Sequence, residues 1–361
     1  MSRQAPPQSF SKREVPVHPL IPSARLPELL RAMPKAELHM HIEGSLEPEL
    51  IFEMAQRNAM PLTYPTVAAL REAYVFDNLQ GFLDIYHTGT IVLKTEQDFY
   101  EMTCAYLARA RADNVLHAEI FFDTQTHTNH GQSAETVING LYRACAEAPA
   151  RYGMTASLIL CFLRNLSEQD AFECLEQALP LRDKIVGIGL ASGEMGNPPE
   201  KFARVFDRAR QLGFRLVAHA GEEAPPAYIW NALDALKVER IDHGVQATHD
   251  SSLMRRLARD RVPLTVCPLS NVKLKVFPSL ARHNLRQIMD AGIIATVNSD
   301  DPAYFGGYIN ENFVQTFAAL GMDTQHAYQL AKNSFEVSFL DAGTKGRYRD
   351  QLDSVFEEFS H

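Results

Sequence analysis

Eight short β-prone runs punctuate the 361-residue chain: Ala36–Ile42, Val115–Phe122, Ala156–Phe162, Ile185–Leu190, Arg215–His219, Arg240–Gly244, Leu264–Cys267 and Ile293–Asn298. Between them lie segments with helical apolar spacing, such as Ala134–Ala146, Glu168–Leu179, Pro199–Leu212, Tyr228–Leu236 and Ser252–Leu257. Strand alternating with helix demands a parallel sheet with helical crossovers, and eight repeats close a (β/α)8 TIM barrel, an α/β fold. An open doubly wound sheet is the structural runner-up. Most strands follow one another at roughly one β/α unit, but the interval from His39 to Ala118 is nearly twice as long. Leu46–Arg57, Thr66–Ala73, Asn78–Leu93 and Glu96–Arg111 read as helices there, an insertion over about 46–111 that would cover the C-terminal mouth of the barrel. Asn310–Leu320, Thr324–Phe335 and Lys345–Phe356 read as closing helices within about 308–358. No Gly/Ser-rich linker divides the chain, so residues 23–361 read as one domain. A flexible arm over 1–22, carrying Pro6, Pro7, Pro16 and Pro19, precedes it and receives no function.

Composition narrows the partners. A hydrophobic share of 46% excludes disorder throughout, and 35 Lys plus Arg against 44 Asp plus Glu, a net charge of -9, carries no footprint for nucleic acid. The most apolar stretch, Ala156–Phe162, falls far short of the ~18 residues of a membrane helix. Five cysteines, an odd number without a CxxC pair, fit reduced thiols in a cytoplasmic protein. A homo-oligomer stays open.

Ionisable residues gather at the strand ends. His39 and His41 alternate along strand one, so both imidazoles point to one face, as metal ligands or as packed histidines. Strand five ends in His219-Ala-Gly-Glu222, strand six in Asp242-His243-Gly244, and strand eight in Asn298-Ser-Asp300-Asp301-Pro302. A barrel keeps its active site at these ends. His39, His41, His219 and Asp300 together offer three imidazoles and a carboxylate, a set that suits zinc and leaves room for a water. Left without a metal, so many buried polar groups would cost several kcal/mol each.

In combination, His39-Met-His41-Ile-Glu-Gly44, His219-Ala-Gly-Glu222, Arg240-Ile-Asp-His-Gly244, Cys267-Pro-Leu-Ser-Asn271 and Ser299-Asp-Asp-Pro302 resemble the adenosine and adenine deaminase family of the amidohydrolase superfamily, from about Lys35 to Phe339. His117-Ala-Glu119 mimics the HxE element of cytidine deaminases, but no PCxxC follows, so Glu119 reads as a strand-two residue near the mouth and His117 as structural. The resemblance implies one Zn2+ per subunit on His39, His41, His219 and Asp300, with Glu222 and His243 beside the bound water. Zinc would supply hydroxide near neutral pH, His243 would orient it and exchange its proton, and attack would fall on C6 of a purine base. A protonated Glu222 would donate to N1, where negative charge accumulates. Glu223 reads as solvated or structural. Asp301 matches a residue facing N7, which requires a proton on Asp301 or on the base. Ser270 matches a hydroxyl holding the Asp300 carboxylate, or else satisfies nearby backbone.

Glu43 stands where nucleoside-type members carry an aspartate that reaches ribose, and its greater length would occupy sugar space. With Ile120-Phe-Phe-Asp123, Gly193-Glu-Met-Gly-Asn-Pro-Pro199 and Asp301-Pro-Ala-Tyr-Phe-Gly306, the resemblance leans to the adenine branch, whose product is hypoxanthine. Phe82 and Tyr86, four apart on one helical face, match positions covering the base or are ordinary core. Ser192 matches a contact to N3. The chain departs from that branch at Gly189-Leu-Ala-Ser-Gly-Glu194, where Ala191 and Gly193 replace larger polar residues and would loosen the pocket. Adenines substituted at N6 are therefore an alternative substrate, followed by adenosine. A different metal-dependent hydrolase is disfavoured because Ile185–Leu190 lacks the bridging Lys or Glu of binuclear relatives, and an inactive purine binder because the catalytic positions are intact.

Overall fold

The computed structural model describes residues 21–76 and 78–361. The arm expected over 1–22 therefore lies, but for its last two residues, outside the described residues. Eight parallel strands follow in chain order: β1 (Lys35–His41), β2 (Val115–Phe122), β3 (Thr155–Leu163), β4 (Gly187–Ala191), β5 (Arg215–Ala220), β6 (Arg240–His243), β7 (Leu264–Val266) and β8 (Ala295–Val297). The ring closes just beyond β8, where Met40 bridges Asp300 in parallel. His41 N–H donates to Asp300 O at 2.9 Å and Asp300 N–H to His39 O at 3.1 Å. This is a TIM barrel, and the open doubly wound alternative falls with the closure.

The strands separate two apolar regions. Phe121, Ile159, Cys161, Ala191 and Val217 fill the barrel interior, while the larger core lies between the sheet and the outer helices. Low in the barrel, buried Arg240 donates through Nη1 to Glu119 Oε2 at 2.6 Å and through Nη2 to Leu38 O at 3.1 Å. Glu119 Oε1 also accepts from Phe339 N–H, and His117 Nε2 lies 3.4 Å away. The Arg240 guanidinium and His117 hold the Glu119 carboxyl down to about 2 although burial opposes ionisation. Glu119 thus belongs to the floor of the barrel and not to its mouth. The stagger of the strands brings it level with Arg240, the first residue of β6.

Among the described residues five α-helices precede β2: α1 (Leu26–Ala32), α2 (Pro48–Arg57), α3 (Val67–Glu72), α4 (Leu79–Thr90) and α5 (Glu96–Ala112). Of the four expected between the first two strands, α5 occupies the barrel's outer ring, packed along the helix Ala134–Tyr152. Tyr100 OH donates to Glu147 there at 2.6 Å, and Arg143 to Glu96 at 2.9 Å. The inserted part proper is α2–α4. Buried Asp98 anchors it: Oδ2 accepts from Thr95 N–H at 2.8 Å to cap α5 and from Asn58 Nδ2 at 3.0 Å at the end of α2. Three helices close the chain, Ile309–Leu320, Thr324–Glu336 and Ala342–Phe359. Among the described residues no helix is long and apolar enough to cross a membrane.

Candidate metal and active site

His39 and His41 share one face of β1, and both project into the upper barrel. His39 Nδ1 lies 3.2 Å from Thr265 O and 2.9 Å from Thr265 Oγ1. A carbonyl oxygen only accepts, so Nδ1 carries the proton, and Thr265 Oγ1 passes its own to Asp242 at 2.9 Å. His39 Nε2 is left as a bare lone pair, buried and without a hydrogen-bond partner. Asp242 Oδ2 stands 3.5 Å from His219 Nδ1 and favours a proton there, so that His219 too turns an unprotonated Nε2 inward. Burial opposes the Asp242 charge, but His219, with His39 and Arg240, holds its carboxyl well below the usual range. His41 Nε2 lies 3.1 Å from His219 Nε2, and burial reinforced by His219 pushes its imidazole down to about 3.

Asp300 Oδ1 completes the group, 3.4 Å from His39 Nε2 and 3.6 Å from His41 Nε2. Four donors at about 2.1 Å around a tetrahedral zinc stand about 3.4 Å apart, so spacings of 3.1–3.6 Å match a common cation. An orphaned lone pair, neutral imidazoles and a carboxylate are the donors such an ion requires. His39, His243, Cys267 and Asp300 form an overlapping set. Burial raises the Cys267 thiol well above its ordinary range, however, and a thiol must ionise to bind. The first set is the better metal site.

His243 ends β6, and a run of hydrogen bonds fixes its proton. Leu285 N–H donates to His283 Nδ1 at 3.1 Å, so His283 carries its proton on Nε2, which donates to Asn271 Oδ1 at 3.2 Å. The Asn271 amide then donates to His243 Nδ1 at 3.3 Å. His243 is thereby a neutral imidazole with Nε2–H facing Glu222 Oε2 at 3.6 Å and Asp300 Oδ2 at 3.8 Å. Glu222 follows β5 and is 5% exposed. Burial first, then the charges of Asp300, Glu194 and Glu223, push its carboxyl well above the usual range, so the neutral acid is favoured.

His41, His219, Glu222, His243 and Asp300 line a pocket at the C-terminal mouth, with Asp301, Ser192, Asp123, Phe82 and Tyr86 among its walls. Ser192, His243 and Asp300 have φ of +78°, +62° and +65°. Each costs on the order of 1 kcal/mol in a non-glycine residue, and all three sit at the cavity wall. Asp301 is 3% exposed, and burial with Asp300 beside it raises its carboxyl well above the ordinary range. Gly44 is what admits it: a Cβ there would lie 1.9 Å from Asp301 Oδ1. Phe82 and Tyr86 reach the cavity from α4 and pack on Phe305 and Tyr304, with Phe82–Phe305 centroids 4.6 Å apart.

Two expected contacts differ. Ser270 is buried in the short helix after β7 with its hydroxyl unpaired, and it does not hold Asp300. Glu43 is 1% exposed and absent from the cavity wall. It accepts from His127 Nε2 at 3.0 Å and Tyr86 OH at 3.3 Å, which the length argument did not anticipate. Sequence reading also passed over Arg164, Asn271 and His283, whose only signal was the run Cys267–Asn271 and an arginine closing a strand.

The barrel carries a candidate metal-donor set at its mouth, as hydrolases of this fold do, and the adenosine deaminase family model matches residues 34–355, so the chain belongs to that family of the amidohydrolase superfamily. More particularly, it is 75% identical over 335 residues to an adenine deaminase of Albidiferax ferrireducens, covering 93% of this chain and 97% of the relative. The crystal structure of an adenine deaminase from Arthrobacter aurescens superposes with a TM-score of 0.88 at 49% identity, over 90% of this chain and 99% of that one. An amidohydrolase from Burkholderia ambifaria with bound zinc does so with a TM-score of 0.86 at 26% identity, over 98% and 97%.

Proposed function

We propose that this chain is an adenine deaminase that takes up one zinc ion on His39, His41, His219 and Asp300 and hydrolyses adenine to hypoxanthine and ammonia. The observation that carries the reading is the convergence of the four metal donors at the base of a pocket in the C-terminal mouth that the buried Glu222 carboxyl and His243 also line. A bound zinc ion would lower the pKa of a coordinated water toward about 7. In the reaction the water oxygen bonds to C6, the C6–N6 bond breaks, and of the two protons the water gives up one balances the proton placed on N1 and the other joins the amino group, which leaves as ammonia. Glu222 donates the N1 proton and stabilises the charge growing on N1 as C6 becomes tetrahedral. His243, its Nε2 already protonated, orients the attacking oxygen by donation and is not free to accept the proton there, so proton traffic passes through Glu222. Asp301 is the partner for N7, Ser192 for N3, and Phe82 with Tyr86 exclude water from the base.

Free base is favoured over nucleoside because Glu43, 1% exposed and bonded to His127 and Tyr86, lies off the pocket wall and presents no acceptor to a ribose hydroxyl. Ala191, which lines the pocket where the adenine branch carries a larger polar residue, favours N6-substituted adenines as the second reading. Cytoplasmic action belongs to this proposal, and the five free thiols suit a reducing compartment. The test is kcat/KM of the zinc-loaded protein on adenine, adenosine and N6-isopentenyladenine. Adenine should lead by about tenfold or more, about 1.4 kcal/mol of discrimination. A lead for the N6-alkyl base would transfer the assignment to the second reading, and a lead for adenosine would defeat the argument from Glu43.

Gly44→Ala should lower kcat/KM for adenine by about tenfold or more with zinc retained, since the added methyl displaces Asp301. Parental kinetics in that variant would remove Asp301 from substrate binding.

A further inference from the structure

Glu194 lies on the loop after β4, 1% exposed, and four consecutive backbone N–H groups of another loop converge on its carboxylate. Gly221 donates to Oε1 at 2.6 Å, and Glu222, Glu223 and Ala224 donate to Oε2 at 3.1, 3.1 and 2.9 Å. This convergence folds the peptide after β5 into a tight concave turn. Gly221 permits it with a φ of +69°, where a Cβ would lie 2.4 Å from Ile229. The Glu222 carbonyl is held from the far side by Gln246 Nε2 at 3.1 Å. Buried Arg164 ties the loop after β4 to the end of β5, donating to Asn197 O at 2.9 Å and to the carbonyl of His219 at 2.7 Å. The main chain bearing Glu222 is thus fixed on both sides, and one side chain supplies the larger share of the hold.

We propose that Glu194 is a positioning residue: its carboxylate holds the Gly221–Ala224 backbone so that the Glu222 side chain meets the substrate in one orientation. This rests on the reading of Glu222 given above. An isosteric amide cannot replace it. With its one oxygen serving the three donors on Oε2, its NH2 would face the N–H of Gly221, donor against donor. A loop released by even about 1 Å costs on the order of 10²-fold in rate. Ground-state binding, made by Asp301, Ser192 and the aromatic wall, is left in place.

The test uses the zinc-loaded full chain and compares Glu194→Gln, Glu194→Asp and Glu222→Gln with the parent for kcat, KM, zinc per chain and Tm. Glu194→Gln should lose about 100-fold in kcat with KM within about threefold and zinc unchanged. Glu194→Asp, which keeps both acceptor oxygens, should recover about tenfold of that loss. A Glu194→Gln kcat within about threefold of the parent, or a loss that simply follows zinc loss, overturns the proposal. Should Glu194→Gln not fold, Glu194→Asp decides alone: its shorter reach must cost about tenfold in kcat at parental KM and zinc, and parental kcat overturns the proposal. An inactive Glu222→Gln beside a normal Glu194→Gln refutes this inference only. An active Glu222→Gln refutes the reading of Glu222, and the inference falls with it.

Discussion

Glu222→Gln is expected to retain its full complement of zinc and to lose about 10³-fold or more in kcat for adenine. The amide matches the carboxyl in size, so the cavity keeps its shape and the four metal donors are untouched. What disappears is a proton that can be given and regained. The wild-type group is suited to that task, because burial and the negative charges of Asp300, Glu194 and Glu223 favour its neutral form. His243 cannot take over: its Nδ1 already accepts from Asn271, and its inward nitrogen already bears hydrogen. Stopped-flow turnover alongside metal analysis checks the prediction. Near-parental turnover with zinc intact would mean that N1 receives its proton by another route.

Asp300→Ala should have the second large effect, a loss of metal. It removes the sole carboxylate of the quartet and its only charged donor, leaving three neutral imidazoles around a dication. Zinc affinity should fall by about 100-fold or more, read directly as metal per chain after dialysis against a chelator. Alanine also tolerates the φ of +65° poorly at this position. Asp300→Asn, which suits that backbone, therefore separates strain from lost charge and should shed zinc while matching the Tm of the metal-free parent. Normal zinc content in Asp300→Ala would show that the ion is held elsewhere.

The architecture was legible because barrel strands obey simple rules. Alternation put His39 and His41 on one face, and motifs at the ends of β5, β6 and β8 announced a common mouth. The resemblance then supplied roles that spacing alone could not. Pairings between distant segments stayed hidden. Thr265, from β7, sets the proton of His39, and His283 sets that of His243 through Asn271, yet neither has a periodicity that points to its partner. Ser270 illustrates the converse, a plausible neighbour whose buried hydroxyl makes no hydrogen bond to Asp300. Helical spacing identified α5 but could not say that it packs against Ala134–Tyr152 and belongs to the ring, because amphipathicity shows which face is buried and not against what. Glu119 was placed too high because strand order gives no stagger. Strands β7 and β8 proved shorter than their apolar runs, with only three residues each in regular pairing.

The seam between Met40 and Asp300 bears on how the protein is made. The first strand supplies two metal donors early in synthesis, and the last donor lies just past the final strand, on the segment that zips the ring shut. A nascent chain on the ribosome can expose the histidine pair long before any carboxylate is there to join it. The complete donor set is consequently assembled only as the sheet closes. A chain ending before residue 300 would lack both the strand seam at Met40 and the carboxylate of the donor set.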